Sequence, residues 1–136
     1  MVKRLFDLVV ALILLATFSP LIIIFGFLIW IQDFCSPFYV APRVGKNEAI
    51  FNMIKFRSMI IGADKTGVDS TASNDSRITP LGNFIRKYKI DEFPNFFNIL
   101  KGEMSFVGPR PNVKRETDLY TDQEKKLLTV QPGITD

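Results

Sequence analysis

Hydrophobic and polar positions divide the chain into four zones. From Leu8 to Ile31 there is no charged residue, and only Thr17, Ser19, Pro20 and Gly26 interrupt the apolar side chains. Between residues 33 and 61, PFYV and AIFNMIKF are rich in aromatic and branched residues and are separated by Pro42 and Gly45, which predicts a short extended region or β-hairpin. Gly62 to Thr79 (GADKTGVDSTASNDSRIT) holds almost nothing to bury and reads as a mobile loop. After it, LGNFIRKYKI sets Leu81, Phe84, Ile85 and Tyr88 on one helical face, with Arg86, Lys87 and Lys89 elsewhere. A second helix is expected from Asp91 to Lys101, stopped by Gly102, and a third from Thr121, where TDQE has capping-box spacing. No internal repeat is present.

The apolar run is long enough for the hydrocarbon core of a bilayer, which about 20 helical residues cross. It is too long for a secretory h-region, and no small-residue cleavage site follows, so it reads as a permanent membrane segment. Pro20 removes one helical hydrogen bond and its ring clashes with the preceding turn. A kinked helix can still span, but Lys3 and Arg4 precede the run while Arg43, Lys46, Lys55 and Arg57 follow it. Basic flanks favour the cytoplasm, so both ends belong on one side. A re-entrant helix broken at Ser19-Pro20 satisfies this, with hydroxyls of Ser19 and Thr17 available to the freed carbonyls. The basic polar face of the Leu81–Tyr88 segment favours a helix lying on the same membrane surface.

At 136 residues the chain holds at most one ordinary domain. The class expected is α-rich α+β: a membrane helix over residues 1–32, then a small cytoplasmic domain over 33–136 with interfacial helices and a short hairpin. Cys35 is the single cysteine, which excludes an intrachain disulfide and a cysteine zinc site. The absence of histidine removes imidazole bases and His-containing metal sites. Of the 17 basic residues only Lys3 and Arg4 precede the run, but the rest are mixed with 14 acids. With an apolar anchor, that net charge of +3 points to anionic headgroups and phosphorylated substrates, not nucleic acid.

The candidate chemistry centres on KIDEFPNF. An acidic pair beside Pro94 suits a helix start, and from this segment alone Asp91 as a simple cap with Glu92 solvated is the favoured reading. The surroundings shift the balance. IKFRSM carries Lys55 and Arg57 two apart, on one face of a strand. Arg86 lies upstream, and FVGPRP holds Arg110 between two prolines that fix its backbone. Cations converging on carboxylates are what phosphoryl chemistry requires. An ionised aspartate needs no histidine to act as a nucleophile.

KRLFD, the Ser19-Pro20 pair, IKFRSM, SRITPLGNFIRK, IDEFPNFFNILKGEMSFVGPRP and QPGIT, in this order, make the chain resemble the monotopic bacterial sugar-1-phosphate transferases, the polyprenyl-phosphate phosphoglycosyltransferases. The resemblance covers the full length. It implies transfer of a sugar-1-phosphate from a UDP-sugar to undecaprenyl phosphate with release of UMP, the first membrane step of bacterial glycoconjugate synthesis. It further implies a cytoplasmic catalytic face at the inner membrane, among membrane lipids. Carried over, Asp91 is the nucleophile with Mg²⁺ beside it, and Glu92, Lys55, Arg86 and Arg110 line the site. Lys89 and Glu103 stand where the family often has Ser or Thr and Asp. Family members continue past PGIT, so the resemblance implies a catalytic domain incomplete at its C-terminus here. The competing class is a non-catalytic membrane module that binds polyprenyl phosphate without turnover. A metal-dependent glycosyltransferase ranks last, because no Asp-x-Asp motif is present.

Overall fold

The computed structural model describes residues 1–67, 72 and 74–136. Helix α1 (Val2–Ile31) comes first, followed by the antiparallel hairpin of β1 (Phe38–Val44) and β2 (Ile50–Phe56), whose register runs from Phe38 opposite Phe56 to Val44 opposite Ile50. Helix α2 (Pro80–Lys87) and helix α3 (Asn95–Lys101) flank a 3-10 turn at Ile90–Glu92. Strand β3 (Ser105–Val107), the short helix α4 (Lys114–Thr117) and strand β4 (Gly133–Thr135) complete the fold, with β3 and β4 paired in parallel.

α1 is long and apolar enough to cross a membrane. It is nevertheless part of both cores. Ala11, with Leu14, Leu15 and Phe18, packs on Phe51, Met53, Phe96, Ile99 and Met104. One stretch further on, Ile22, Phe25 and Ile29 pack on Phe56 and Ile85. These positions recur every three or four residues, so they form a single stripe along the helix. The opposite side stays uncovered: Ile13, Ile23 and Phe27 are 59, 71 and 54% exposed.

Polar clamps hold both ends of α1. Lys3 Nζ donates to Ser105 Oγ and to the Val107 carbonyl, and Arg4 donates to the carbonyls of Ile99 and Leu100 at the end of α3. At the other end Arg57 makes paired bonds of 2.7 and 2.8 Å to Asp33.

The expected interruption at Ser19-Pro20 is not present as a gap in the helix, which runs unbroken from Val2 to Ile31. The reason is local. Pro20 deprives the Ala16 carbonyl of its usual donor, and Ser19 Oγ supplies one at 2.9 Å.

The hairpin follows the expectation, and α2 starts where Thr79 accepts a bond from Gly82 N–H with Pro80 in the first turn. Gly82 is required there, since a Cβ would lie 1.9 Å from the Ser58 carbonyl oxygen. Three expectations are corrected. α3 begins at Asn95, so the acidic pair occupies a separate turn that Lys89, with φ of 59°, introduces by reversing the chain. At Thr121 the capping box forms, with Glu124 accepting from Thr121 N–H at 2.8 Å, but a 3-10 helix over Glu124–Thr129 follows it. In the supposed loop Ala63 is buried and Arg77 bonds to Asp75, Thr66 and the Ala63 carbonyl. Residues 68–71 and 73 of that segment lie outside the described residues.

Candidate active site

One side chain brings the acidic turn to the hairpin, and one backbone contact places Arg110. Asn98, fully buried in α3, accepts from Ile54 N–H at 3.0 Å and donates to the Asn52 carbonyl at 2.8 Å. Its carboxamide takes the place of a third strand along the outer edge of β2, which fixes the start of α3 against the segment carrying Lys55. Around Arg110, the FVGPRP and QPGIT motifs interlock. Gly108 N–H donates to Thr135 and Gly133 N–H to Pro109, and a Cβ on Gly133 would lie 2.2 Å from Gly108 N. Only glycines permit that approach.

The result is a cleft of about 630 Å³ lined by Lys55, Arg57, Arg86, Asp91 and Arg110 among others. Of the six residues named from the sequence for this role, five therefore meet in one cavity, with Glu92 adjoining it. Lys55 Nζ lies 3.1 Å and Arg110 Nη2 4.0 Å from Glu92 Oε1. Arg57 lines the cleft but is engaged by Asp33, so it ties the end of α1 to the cleft wall.

Asp91 is different from its neighbour. Its Oδ1 is buried with no hydrogen-bond partner among the described residues, and neither its turn nor α3 has a side-chain cap. The capping role is thus not what Asp91 performs. Burial pushes its carboxyl above the usual aspartate range and Glu92 adds to this, while Lys55, Arg86 and Lys89 oppose the shift. A desolvated carboxyl in a cleft with cations around it is a perturbed group of the kind that marks a candidate functional site.

The sequence reading missed Arg43, Tyr39 and Arg77, which also line the cleft. For the first two the signal was available: Tyr39 pairs with Lys55 and Arg43 with Phe51, so alternation along the hairpin puts them on the Lys55 face. The apolar wall of the cleft includes Phe38, Met59, Ile60 and Ile61, and it begins at Cys35, just past the end of α1.

The family model for bacterial sugar transferases matches residues 1–136, and the chain belongs to that family. A putative undecaprenyl-phosphate N-acetylgalactosaminyl 1-phosphate transferase of Bacillus subtilis is 40% identical over 98% of this chain and 71% of its own length. The undecaprenyl-phosphate galactose phosphotransferase of Salmonella typhimurium is 37% identical over 98% of this chain and 31% of its own. An uncharacterized sugar transferase of Haemophilus influenzae is 38% identical with the same coverage, so the chain spans about a third of the length of these last two relatives.

Proposed function

We propose that this chain transfers a sugar-1-phosphate from a UDP-sugar to undecaprenyl phosphate through a covalent intermediate on Asp91, initiating assembly of a bacterial glycoconjugate. The observation that carries the reading is the unpartnered Asp91 carboxylate oxygen in a cleft with Lys55, Arg86 and Arg110 at the foot of an apolar helix. The names of the relatives from Bacillus subtilis and Salmonella typhimurium agree with its coarser part, transfer of a sugar phosphate to undecaprenyl phosphate.

In the first step an Asp91 oxygen bonds to the sugar-bearing phosphorus, the bond from that phosphorus to the bridging oxygen breaks, and UMP leaves with the electron pair. In the second, an oxygen of undecaprenyl phosphate attacks the same phosphorus and the Asp91 carboxylate departs unchanged. Lys55, Arg86 and Arg110 neutralise charge on the phosphoryl oxygens. Glu92 holds Lys55 and Arg110 in place. Mg²⁺ is commonly bound by one or two carboxylates plus substrate phosphates. The free Asp91 oxygen fits that pattern, and no group of three potential ligands exists among the described residues. When bound, the ion would neutralise diphosphate charge beside Asp91.

The acceptor is a lipid, and the apolar cleft wall starting at Cys35 adjoins exposed Trp30, Ile31 and Phe34 at the end of α1. α1 is about 45 Å long at 1.5 Å per residue. A helix standing across the bilayer would separate its ends, yet Arg4 and Asp33 are both held by the same domain. This supports a monotopic arrangement, with both ends of the unbroken helix on the cytoplasmic face of the inner membrane and the uncovered stripe of α1 in lipid.

Intact-protein mass spectrometry with UDP-sugar alone tests the reading. One sugar phosphate should add to the wild-type chain, with UMP appearing before any acceptor is supplied, and none should add to Asp91→Asn. An adduct on the variant, or UMP release only when both substrates are present, would refute Asp91 as nucleophile.

A further inference from the structure

Asp91 and Glu92 share a turn but open into different cavities. Asp91 lines the large cleft, whereas Glu92 lines a second cavity of about 210 Å³. Arg43, Met53, Lys55 and Arg110 border both, so these four side chains form the partition between them. Asn95, Asn112 and Glu116 supply further polar groups to the smaller cavity, over an apolar floor that includes Met104 and Ile134.

Asn95 is the unexplained member. It is 2% exposed, and its Oδ1 has no hydrogen-bond partner among the described residues. A buried amide oxygen left without a donor bears its full desolvation cost, and folded interiors rarely keep one without a reason. Packing gives none: Phe96 and Ile99 fill the core from α3, and Asn98 serves the edge of β2.

We propose that this side cavity receives the sugar ring of the nucleotide-sugar, and that Asn95, with Glu116 at the rim, determines which sugar is accepted. The inference rests on Asp91 being the nucleophile. Three arguments converge on it. The first is size: the cavity lies below the roughly 300–1,000 Å³ typical of sites for drug-sized ligands, which suits one ring and not a nucleoside. The second is chemistry. The carboxylates of Glu92 and Glu116 and the free Asn95 oxygen are acceptors for hydroxyl or acetamido donors, and the partition cations suit the adjoining phosphate. The third is direction. Attack and departure are roughly in line at phosphorus. The nucleotide, the larger group, lies in the larger cleft that Asp91 lines. The sugar, bonded perpendicular to that axis, crosses the Lys55–Arg110 partition. The relatives' names already differ in the sugar, galactose in one and N-acetylgalactosamine in another, so some pocket must carry such a choice.

The test is UMP release by the full chain in lipid nanodiscs with UDP-glucose, UDP-galactose, UDP-N-acetylglucosamine and UDP-N-acetylgalactosamine. The ratio of kcat/KM between donors is independent of the fraction of molecules folded, so it reads specificity even in a weakened variant. Asn95→Ala should change the ratio between best and poorest donors by about tenfold or more, the scale expected when a buried hydrogen bond to substrate is lost. Glu116→Gln, on an exposed residue, should change the same ratio by a few-fold, with inhibition by UMP unaltered. Equal weakening of all four donors, an unchanged ranking in both variants, or weaker UMP inhibition with the ranking intact would overturn the proposal. No UMP from wild type with any donor would overturn the transferase reading itself, and the sugar pocket with it.

Discussion

Asp7 and Asp91 are both withdrawn from water, and the protein treats them in opposite ways. The Asp7 side chain is 6% exposed and fully supplied: Ser105 Oγ donates at 2.8 Å, Phe106 N–H at 3.3 Å, and Lys3 Nζ lies 3.8 Å away. Asp91 has cations nearby but a buried oxygen without a hydrogen-bond partner among the described residues. A buried carboxylate with donors fastens one element to another, here α1 to β3. One without them stores an unfavourable interaction that only an incoming electrophile or cation relieves. The same residue type is a clamp in one region and, in the function proposed above, a reagent in the other, and its partners decide which.

The sharpest way to break this contrast is Asp91→Asn. Adduct formation should fall by roughly a thousandfold or more, since the amide lacks the nucleophilic charge. Stability should move the other way. Burial raises the Asp91 pKa above 3.8 in the folded chain, so the folded state binds this proton more tightly than the unfolded chain does. The stabilising contribution of the neutral form is complete below the unfolded value and is lost as pH rises through the folded one. Asp91→Asn should therefore melt a few degrees higher than wild type at pH 7, on the scale of about 1 kcal/mol per several degrees, and no higher near pH 3. Thermal melts at both pH values check this. A lower melting temperature at pH 7 would mean that Asp91 is a satisfied structural group like Asp7. The same shift sets an acid limb in the rate of adduct formation that lies above the range of a solvated aspartate, measurable as a pH–rate profile.

Next in size is Lys55→Met. It removes the 3.1 Å partner of Glu92 and leaves Arg110 at 4.0 Å. Adduct formation should drop about 10²–10³-fold, as when one preorganised electrostatic donor is lost. A drop below tenfold would place Lys55 outside the charge-stabilising set.

Asp7→Ala should act on stability first. It strands the Ser105 hydroxyl and the Phe106 N–H, at a cost of about 1–3 kcal/mol. The melting temperature in nanodiscs should fall by several degrees, while the adduct per folded molecule falls less than for Lys55→Met. Loss of activity without loss of stability would make Asp7 a second functional carboxylate.

The sequence made some of this legible and hid the rest for physical reasons. The hairpin and α2 follow from local pattern, and the group Lys55, Arg86, Asp91 and Arg110 from convergent charge together with the family resemblance. In α1 every face is apolar, so nothing in the composition reveals that Ala11, Phe18, Phe25 and Ile29 face protein while Ile13, Ile23 and Phe27 do not. The β3–β4 pair joins two three-residue strands distant in sequence, and its determinant is the contact of Gly108 with Gly133, which no period reports. The difference between Asp91 and Glu92 is likewise tertiary. It depends on which oxygen Lys55 reaches.

The smallest effect expected tests the same rule inside α1. Pro20 leaves the Ala16 carbonyl without its backbone donor, and Ser19 Oγ replaces it at 2.9 Å, as Ser105 supplies Asp7. In the lipid setting proposed for the uncovered side of α1 there is no alternative donor, so the substitute matters. Ser19→Ala should cost about 0.5–1.5 kcal/mol in melting experiments in nanodiscs. In a Pro20→Ala background, residue 20 regains an N–H aimed at the Ala16 carbonyl, and the hydroxyl becomes redundant. Ser19→Ala should then cost close to nothing, and the difference between the two backgrounds is the coupling energy of the pair. An equal cost in both would show that Ser19 acts through something other than this carbonyl. A Pro20→Ala chain that also keeps its donor-only adduct would further show that α1 is held in place by its clamps at Lys3, Arg4, Asp7 and Asp33 and not by the proline.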